Sequence, residues 1–231
     1  MSIHMQREIE SLKRRILALS AEVESDLRAA VQAVEDRNPK LAQEVINGET
    51  RTNSMEVDVE EECLKILALY QPVAADLRYI IAVLKINQDL ERIGDLAVHI
   101  AERSLTLCEQ PRLDIPFRIG LMADKTRKQL KKVLDAFVNQ REDEARAVCV
   151  GDGEIDDLNH EIVAQVKAAI LERPALIDTF LYIMSIARHL ERIGDHTTNI
   201  AEDLIYLIEG RIVRHTAEVS DKIRKADGVR P

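Results

Sequence analysis

The sequence of 231 residues contains no tryptophan, only three phenylalanines and only four tyrosines. Its core must therefore be built from aliphatic side chains and alanine, which is typical of helical bundles. Eight glycines and six prolines leave few places for turns, so the segments between them are expected to be long helices. The three cysteines are scattered and form no Cys-x-x-Cys spacing. This argues against a disulfide framework and a thiolate zinc site, and it indicates a reducing compartment.

The chain also lacks an excess of positive charge, since its net charge is −9. A general nucleic-acid-binding protein needs a basic face, so nucleic-acid binding is not expected. No apolar run approaches the roughly 18 residues of a membrane-spanning helix, and the N-terminal segment has no apolar signal-peptide core. These features together predict a cytoplasmic protein.

The sequence contains an internal repeat. The hexapeptide Leu-Glu-Arg-Ile-Gly-Asp occurs at residues 90–95 and again at 190–195. A shift of 100 residues aligns 77–102 with the second copy without a gap. Further upstream the shift becomes 103 residues, which pairs Glu49 with Asp152. Similarity over most of a half-chain indicates that one unit has been duplicated.

Each copy of the repeat is predicted to form three helices, because prolines and glycines divide it at two places. The predicted helices cover 5–37, 40–70 and 72–108 in the first half and 117–140, 142–172 and 174–209 in the second. Asn47-Gly48 is a possible weak point, and Gly210 is expected to end the last helix. The predicted fold is therefore all-α, with two tandem pseudo-symmetric three-helix bundles. The predicted division of the chain is 1–110, 111–215 and a charged tail at 216–231.

The third helix of each half has two distinct faces. Apolar residues recur at alternating three- and four-residue steps, which predicts a core seam. In the first half this seam is Val83, Ile86, Leu90, Ile93, Ala97 and Ile100. Glu91, Asp95 and Glu102 fall on a stripe about 100° or more away from it. The corresponding acids of the second half are Glu191, Asp195 and Glu202. The stripe continues upstream as apolar residues, so we expect another bundle or another subunit to cover it.

The second helix of each half carries matching polar residues. They are Glu49, Asn53 and Glu56 in the first half and Asp152, Asp156 and Asn159 in the second. Carboxylates four residues apart lie adjacent on a helix and repel each other, and facing pairs from two helices repel more strongly unless a cation lies between them. Carboxylate and amide oxygens suit hard cations such as Mg²⁺, Mn²⁺, Ca²⁺ or iron. The pattern therefore fits a metal site, and a solvated acidic face is the alternative.

No catalytic signature accompanies these acids. The sequence has no glycine-rich phosphate loop, nucleophile elbow or kinase motif. His196 follows the second motif and is interpreted as a surface histidine. Asp157 and His160 form one carboxylate-x-x-His arrangement, whereas a di-iron bundle needs two. The sequence does not indicate an enzyme. A metal-dependent enzyme with a carboxylate site and a purely structural scaffold remain as alternatives.

Three segments resemble the signature segments of the PhoU family, namely residues 71–78, 90–95 and 190–202. The resemblance covers about 8–215 and implies two repeated three-helix bundles. It also implies that the Glu/Asp-x-x-x-Asp motifs bind metal ions such as Mg, Mn, Fe or Zn. The implied ligands on this chain are Glu91, Asp95, Asp152, Asp156, Glu191 and Asp195, with Glu49, Asn53 and Glu56 at a weaker first site. Further candidates are Glu102, Asn159 and Glu202.

The same resemblance implies a regulatory function. A PhoU protein is expected to act as a negative regulator of the phosphate (Pho) regulon and of phosphate uptake. It would link the ATPase subunit of the phosphate ABC transporter to the membrane sensor histidine kinase. The resemblance further implies a homodimer that reaches the membrane only through protein partners.

Overall fold

The computed structural model describes residues 3–111 and 117–212, and these residues contain helices but no strands. The α-helices are α1 (Ile3–Asp36), α2 (Pro39–Tyr70), α3 (Ala74–Cys108), α4 (Ile119–Asn139), α5 (Glu142–Gly151), α6 (Gly153–Glu172) and α7 (Ile177–Glu209). A short 3-10 turn, Pro174–Leu176, precedes α7. The all-α prediction is confirmed. The predicted tail at 216–231 and most of the predicted linker lie outside the described residues, so the domain boundaries stay predictions.

Local chemistry explains the two breaks in the first half. The Asn38 side chain accepts hydrogen bonds from the backbone N–H groups of Lys40 and Leu41, at 3.1 and 3.2 Å, and so caps α2. Pro39 occupies the first turn of α2, where its missing N–H costs no hydrogen bond. Gln71 adopts a left-handed conformation with φ 45° and ends α2. The weak point expected at Asn47-Gly48 does not interrupt α2, which is continuous there.

The second half differs at the equivalent position, because the single helix predicted over 142–172 is divided into α5 and α6 at Asp152. Glycines flank this residue as Gly151 and Gly153, and a Cβ built on either would meet nothing within 4 Å. Glycine disfavours the helix interior, so two of them within three residues weaken the helix more than Gly48 alone does. At the C-terminal end of α7, Gly210 adopts φ 74° and ends the helix as predicted.

The core seam is buried as predicted. All six seam residues of α3 are buried. Of the six equivalent residues of α7, five are buried and Ile183 is half-buried. The apolar part of the stripe is covered only partly within the chain: Ile80 and Phe180 are fully buried, whereas Leu77 and Ile177 at its start are exposed. In the described residues no helix is both long and apolar enough to cross a membrane.

Helices α3 and α7 pack against each other in antiparallel orientation and join the two halves. Near one end, Lys85 Nζ lies 3.2 Å from Asp203 Oδ1. Near the other end, the rings of His99 and His189 lie 5.4 Å apart. The two copies of the motif therefore lie side by side near the middle of this contact.

Candidate functional site

The glycine of each motif allows the third helix to approach the second helix of its own half. A Cβ on Gly94 would lie 3.2 Å from Thr52 Cγ2, and one on Gly194 would lie 3.2 Å from Ile155 Cδ1. Thr52 and Ile155 are separated by 103 residues, so they occupy equivalent positions in the repeat. The same close contact therefore recurs in both halves and places the acids of each motif beside the second helix.

In the second half the structure brings together Asp152, Asp156, Glu191 and Asp195, which we call the second acid cluster. Although Asp195 remains exposed, its carboxyl is partly shielded from water. This shielding, together with the charges of Glu191, Asp152 and Asp156, raises the pKa of Asp195 to about 6. Burial and the charge of Asp156 also raise the pKa of Asp152. The four carboxylates of the second acid cluster are therefore close enough to interact electrostatically.

The first acid cluster consists of Glu56, Glu91 and Asp95. Burial raises the pKa of Glu91, and the charges of Asp95 and Glu56 raise it further. Arg92 offsets part of this repulsion, because its guanidinium lies 3.4 Å from Glu91 and 3.6 Å from Asp95. Asn87 Nδ2 donates a 2.9 Å hydrogen bond to Glu56 Oε1 and so positions that carboxylate.

The remaining predicted residues lie in varied surroundings. Glu49 and Asn53 are exposed on α2, and Glu56 is the α2 residue whose charge reaches Glu91. Glu102 is exposed on α3, and Glu202 is half-buried on α7. The first half therefore assembles only some of the residues predicted for it.

Asn159 holds an unsatisfied acceptor. Its Oδ1 atom is buried without a hydrogen-bond partner. In the repeat Asn159 corresponds to Glu56, and Ala187 corresponds to Asn87, the residue that donates to Glu56. The donor present in the first half is therefore missing from the second, which leaves the Asn159 amide oxygen without a hydrogen-bond partner.

Neither acid cluster is closed around a common point. Across residues 3–111 and 117–212, no group of three or more His, Cys, Asp and Glu side chains is arranged to hold a metal ion. The clusters supply the oxygen donors that a hard cation uses, but their side chains would have to converge on it.

Several polar contacts around the second acid cluster were not predicted from the sequence. Thr198 and Gln129 form hydrogen bonds to Asp152 that lower its pKa against the effect of burial. Gln129 Nε2 also donates to Thr198 Oγ1 at 3.4 Å. Thr198 is the stripe residue one turn beyond Asp195, so the spacing could have included Thr198 among the predicted site residues. Gln129 belongs to α4, and its contact across 69 residues leaves no signal in the sequence.

A family model described as the PhoU domain matches residues 16–104 and again 119–204. The chain belongs to the PhoU family. Both copies of the repeat are matched, which confirms the resemblance inferred from the three signature segments.

Proteins of the PhoU family resemble this chain over nearly its whole length. A relative from Aquifex aeolicus, named phosphate-specific transport system accessory protein PhoU homolog, is 37% identical over 209 residues, which are 90% of this chain and 95% of the relative. The crystal structure of PhoU from Pseudomonas aeruginosa has a TM-score of 0.87 and 37% identity, covering 89% of this chain and 99% of that chain.

A second PhoU structure extends this similarity. The phosphate transport system regulatory protein PhoU from Streptococcus pneumoniae has a TM-score of 0.82 and 27% identity. The match covers 90% of this chain and 99% of that chain. The two-bundle arrangement described above is therefore that of solved PhoU structures.

Proposed function

We propose that this protein is an accessory and regulatory protein of a phosphate-specific transport system. The supporting observation is the near full-length similarity to the Aquifex aeolicus protein of that name. The similar structure from Streptococcus pneumoniae is that of a phosphate transport system regulatory protein. In this proposal the protein represses the phosphate regulon and phosphate uptake, and it does so by contacting the transporter ATPase subunit and the sensor histidine kinase. It acts as a cytoplasmic homodimer and carries out no chemistry of its own.

We further propose that the second acid cluster binds a metal ion that holds α6 against α7. Support comes from its four carboxylates, because burial and, after it, their mutual repulsion raise the pKa values of Asp152 and Asp195. A cation would relieve this repulsion, and the buried acceptor of Asn159 offers one more oxygen. The ions that suit this donor set are Mg²⁺, Mn²⁺ and iron, with Zn²⁺ also to be tested. Metal binding then stabilises the surface that the partners contact.

Deletion of the gene tests the regulatory role. We expect the activity of a starvation-induced alkaline phosphatase reporter to rise in phosphate-rich medium, because the repressing contact is lost. Complementation with the wild-type gene should restore repression. Unchanged reporter activity in the deletion strain would contradict the proposal. If the deletion raises reporter activity but the purified protein contains no metal, only the metal-binding part of the proposal is contradicted.

A further inference from the structure

The repeat produces two equivalent surface grooves in addition to the acid clusters. Groove 1 lies between α1 and α2, and groove 2 lies between α4 and the junction of α5 with α6. Groove 1 is lined by residues including Glu22, Ser25, Asp26, Ala29, Gly48 and Arg51. Groove 2 is lined by residues including Lys125, Lys128, Gln129, Lys132, Gly151 and Glu154. These six residues of groove 1 match the six of groove 2 at a shift of 103 residues, so the grooves are copies of a single feature.

An ion pair spans each groove, but its charges are reversed. In groove 1 Arg51 of α2 pairs with Glu22 of α1. In groove 2 the equivalent residues are Glu154 of α6 and Lys125 of α4, which also form an ion pair. The position of the bridge has been kept while the acid and the base have exchanged helices. The geometry of the groove therefore does not depend on the sign of its charges.

Groove 2 is basic in a chain whose net charge is −9, and its extra positive charge comes from residues other than the ion pair. Ser25 and Ala29 of groove 1 are replaced by Lys128 and Lys132 in groove 2. Glu154 is the carboxylate that lines groove 2, and it is already paired with Lys125. Within the described part of the chain, Lys128 and Lys132 form no ion pair. Groove 2 thus carries two lysines without an ion-pair partner in the described residues, within about one helical turn of each other.

The opposite wall of groove 2 is formed where two helices meet. Helix α5 ends at Gly151 and α6 begins at Gly153, so the partial negative charge of one helix end and the partial positive charge of the other offset each other. Helix α2 runs through the equivalent Gly48 without a break, so groove 1 lacks this feature. The lining residue Gly151 faces open space, which lets a ligand approach the backbone. Groove 2 is open to solvent and has a volume of about 230 Å³, which suits a small ligand.

We propose that groove 2 binds a small, doubly charged oxyanion, held by Lys128 and Lys132 through charge-assisted hydrogen bonds. The anion competes with Glu154 for Lys125. Inorganic phosphate is the probe, and this choice rests on the proposed function, whereas the preference for a dianion rests on the groove alone. Gln129 lines groove 2 and also bonds to Asp152, so an anion bound there lies next to the second acid cluster.

The test is a calorimetric titration of the purified full chain with inorganic phosphate, at an ionic strength held constant with chloride. We expect saturable binding by the wild-type protein. The double substitution Lys128→Ser and Lys132→Ala gives groove 2 the residues that groove 1 has at these positions. It should weaken phosphate binding about tenfold. Glu154→Gln should tighten binding about threefold, because it frees Lys125 from its internal carboxylate.

The control is Lys131→Gln, which removes one positive charge from an exposed position of α4 outside the groove lining. Its affinity should equal that of the wild type. Circular dichroism verifies that each variant retains its helix content. The proposal is overturned if the wild type shows no saturable binding below about 10 mM phosphate, or if Lys131→Gln weakens binding as much as the double substitution. Neither outcome alters the reporter phenotype of the gene deletion, so failure here is distinct from failure of the proposed function.

Discussion

His196 Nδ1 lies 2.9 Å from Asp89 Oδ1, and this contact joins the residue after the second motif to the residue before the first. Asn199 Nδ2 donates to the same carboxylate oxygen at 3.3 Å. His196 is half-buried, so its interpretation as a surface histidine was wrong. Because Asp89 belongs to α3 and His196 to α7, the contact holds one half of the molecule against the other.

We expect His196→Leu, which introduces the residue found at the equivalent Leu96, to lower the free energy of unfolding. The loss should be about 1 kcal/mol, since one hydrogen bond to a half-buried carboxylate disappears. Chemical denaturation measures this change. His4→Leu replaces an exposed histidine near the N-terminus and serves as the control. Equal stability of the two variants would show that the Asp89 contact contributes nothing.

Close packing at the motif glycine gives a second prediction. Gly94→Ala places a methyl group 3.2 Å from Thr52 Cγ2, and this overpacking costs about 1–3 kcal/mol. After the gain of up to about 1 kcal/mol in helix propensity, the fold should be about 1 kcal/mol less stable. Gly151→Ala meets nothing within 4 Å and should instead stabilise it by roughly 0.5–1 kcal/mol through helix propensity. Thermal unfolding of both variants tests the pair. Stabilisation by alanine at Gly94 would refute the close approach of α3 to α2.

The second acid cluster should make the stability of the metal-free protein depend on pH. The pKa of Asp195 rises from 3.8 to about 6 on folding, so between these values the native state binds more protons than the unfolded state. The stability contribution of protonated Asp195 is complete below about pH 3.8 and is lost as the pH rises through 6. Solvent screening at this exposed group limits the effect to about 1 kcal/mol.

Denaturation of the chelator-treated protein at pH 5 and pH 7 measures this dependence. Asp195→Asn removes the titrating group, so the variant should be less sensitive to pH and more stable than the wild type at pH 7. An added cation that binds the cluster should likewise reduce the pH sensitivity of the wild type. The same pH dependence in both proteins would contradict the assignment to Asp195.

Metal content provides a separate test of the second acid cluster. Glu191→Gln combined with Asp195→Asn should remove the metal bound at this site, because amides replace two of the carboxylates that attract the cation. Elemental analysis of the purified protein measures the stoichiometry and identifies the ion. Asp157→Asn, an exposed position of α6 beside Asp156, is the matched control. Retention of the full stoichiometry in the double variant would refute the ligand assignment.

The sequence predicted those features that depend on neighbours along the chain. Proline and glycine positions predicted the main helix boundaries, and the spacing of apolar residues predicted the seam that ends at Ile100. The sequence predicted that polar residues of the second and third helices match, but it did not predict how the two halves would pack. The periodicity of α2 places Glu49 and Glu56 on the same side, yet only the packing shows that Glu56 reaches Glu91. Contacts between the halves, such as Asp89 with His196, depend on the antiparallel packing of α3 and α7.

The reversed ion pairs of the two grooves affect how a partner approaches the molecule. Duplication alone would give two equal surfaces, and a partner would dock on either with the same affinity. Charge complementarity steers association and disfavours the wrong orientation. Because one groove is acidic and the other basic, a charged partner distinguishes the two ends of an otherwise repeated shape. A charged partner that contacts the grooves would therefore bind this repeated shape in one orientation.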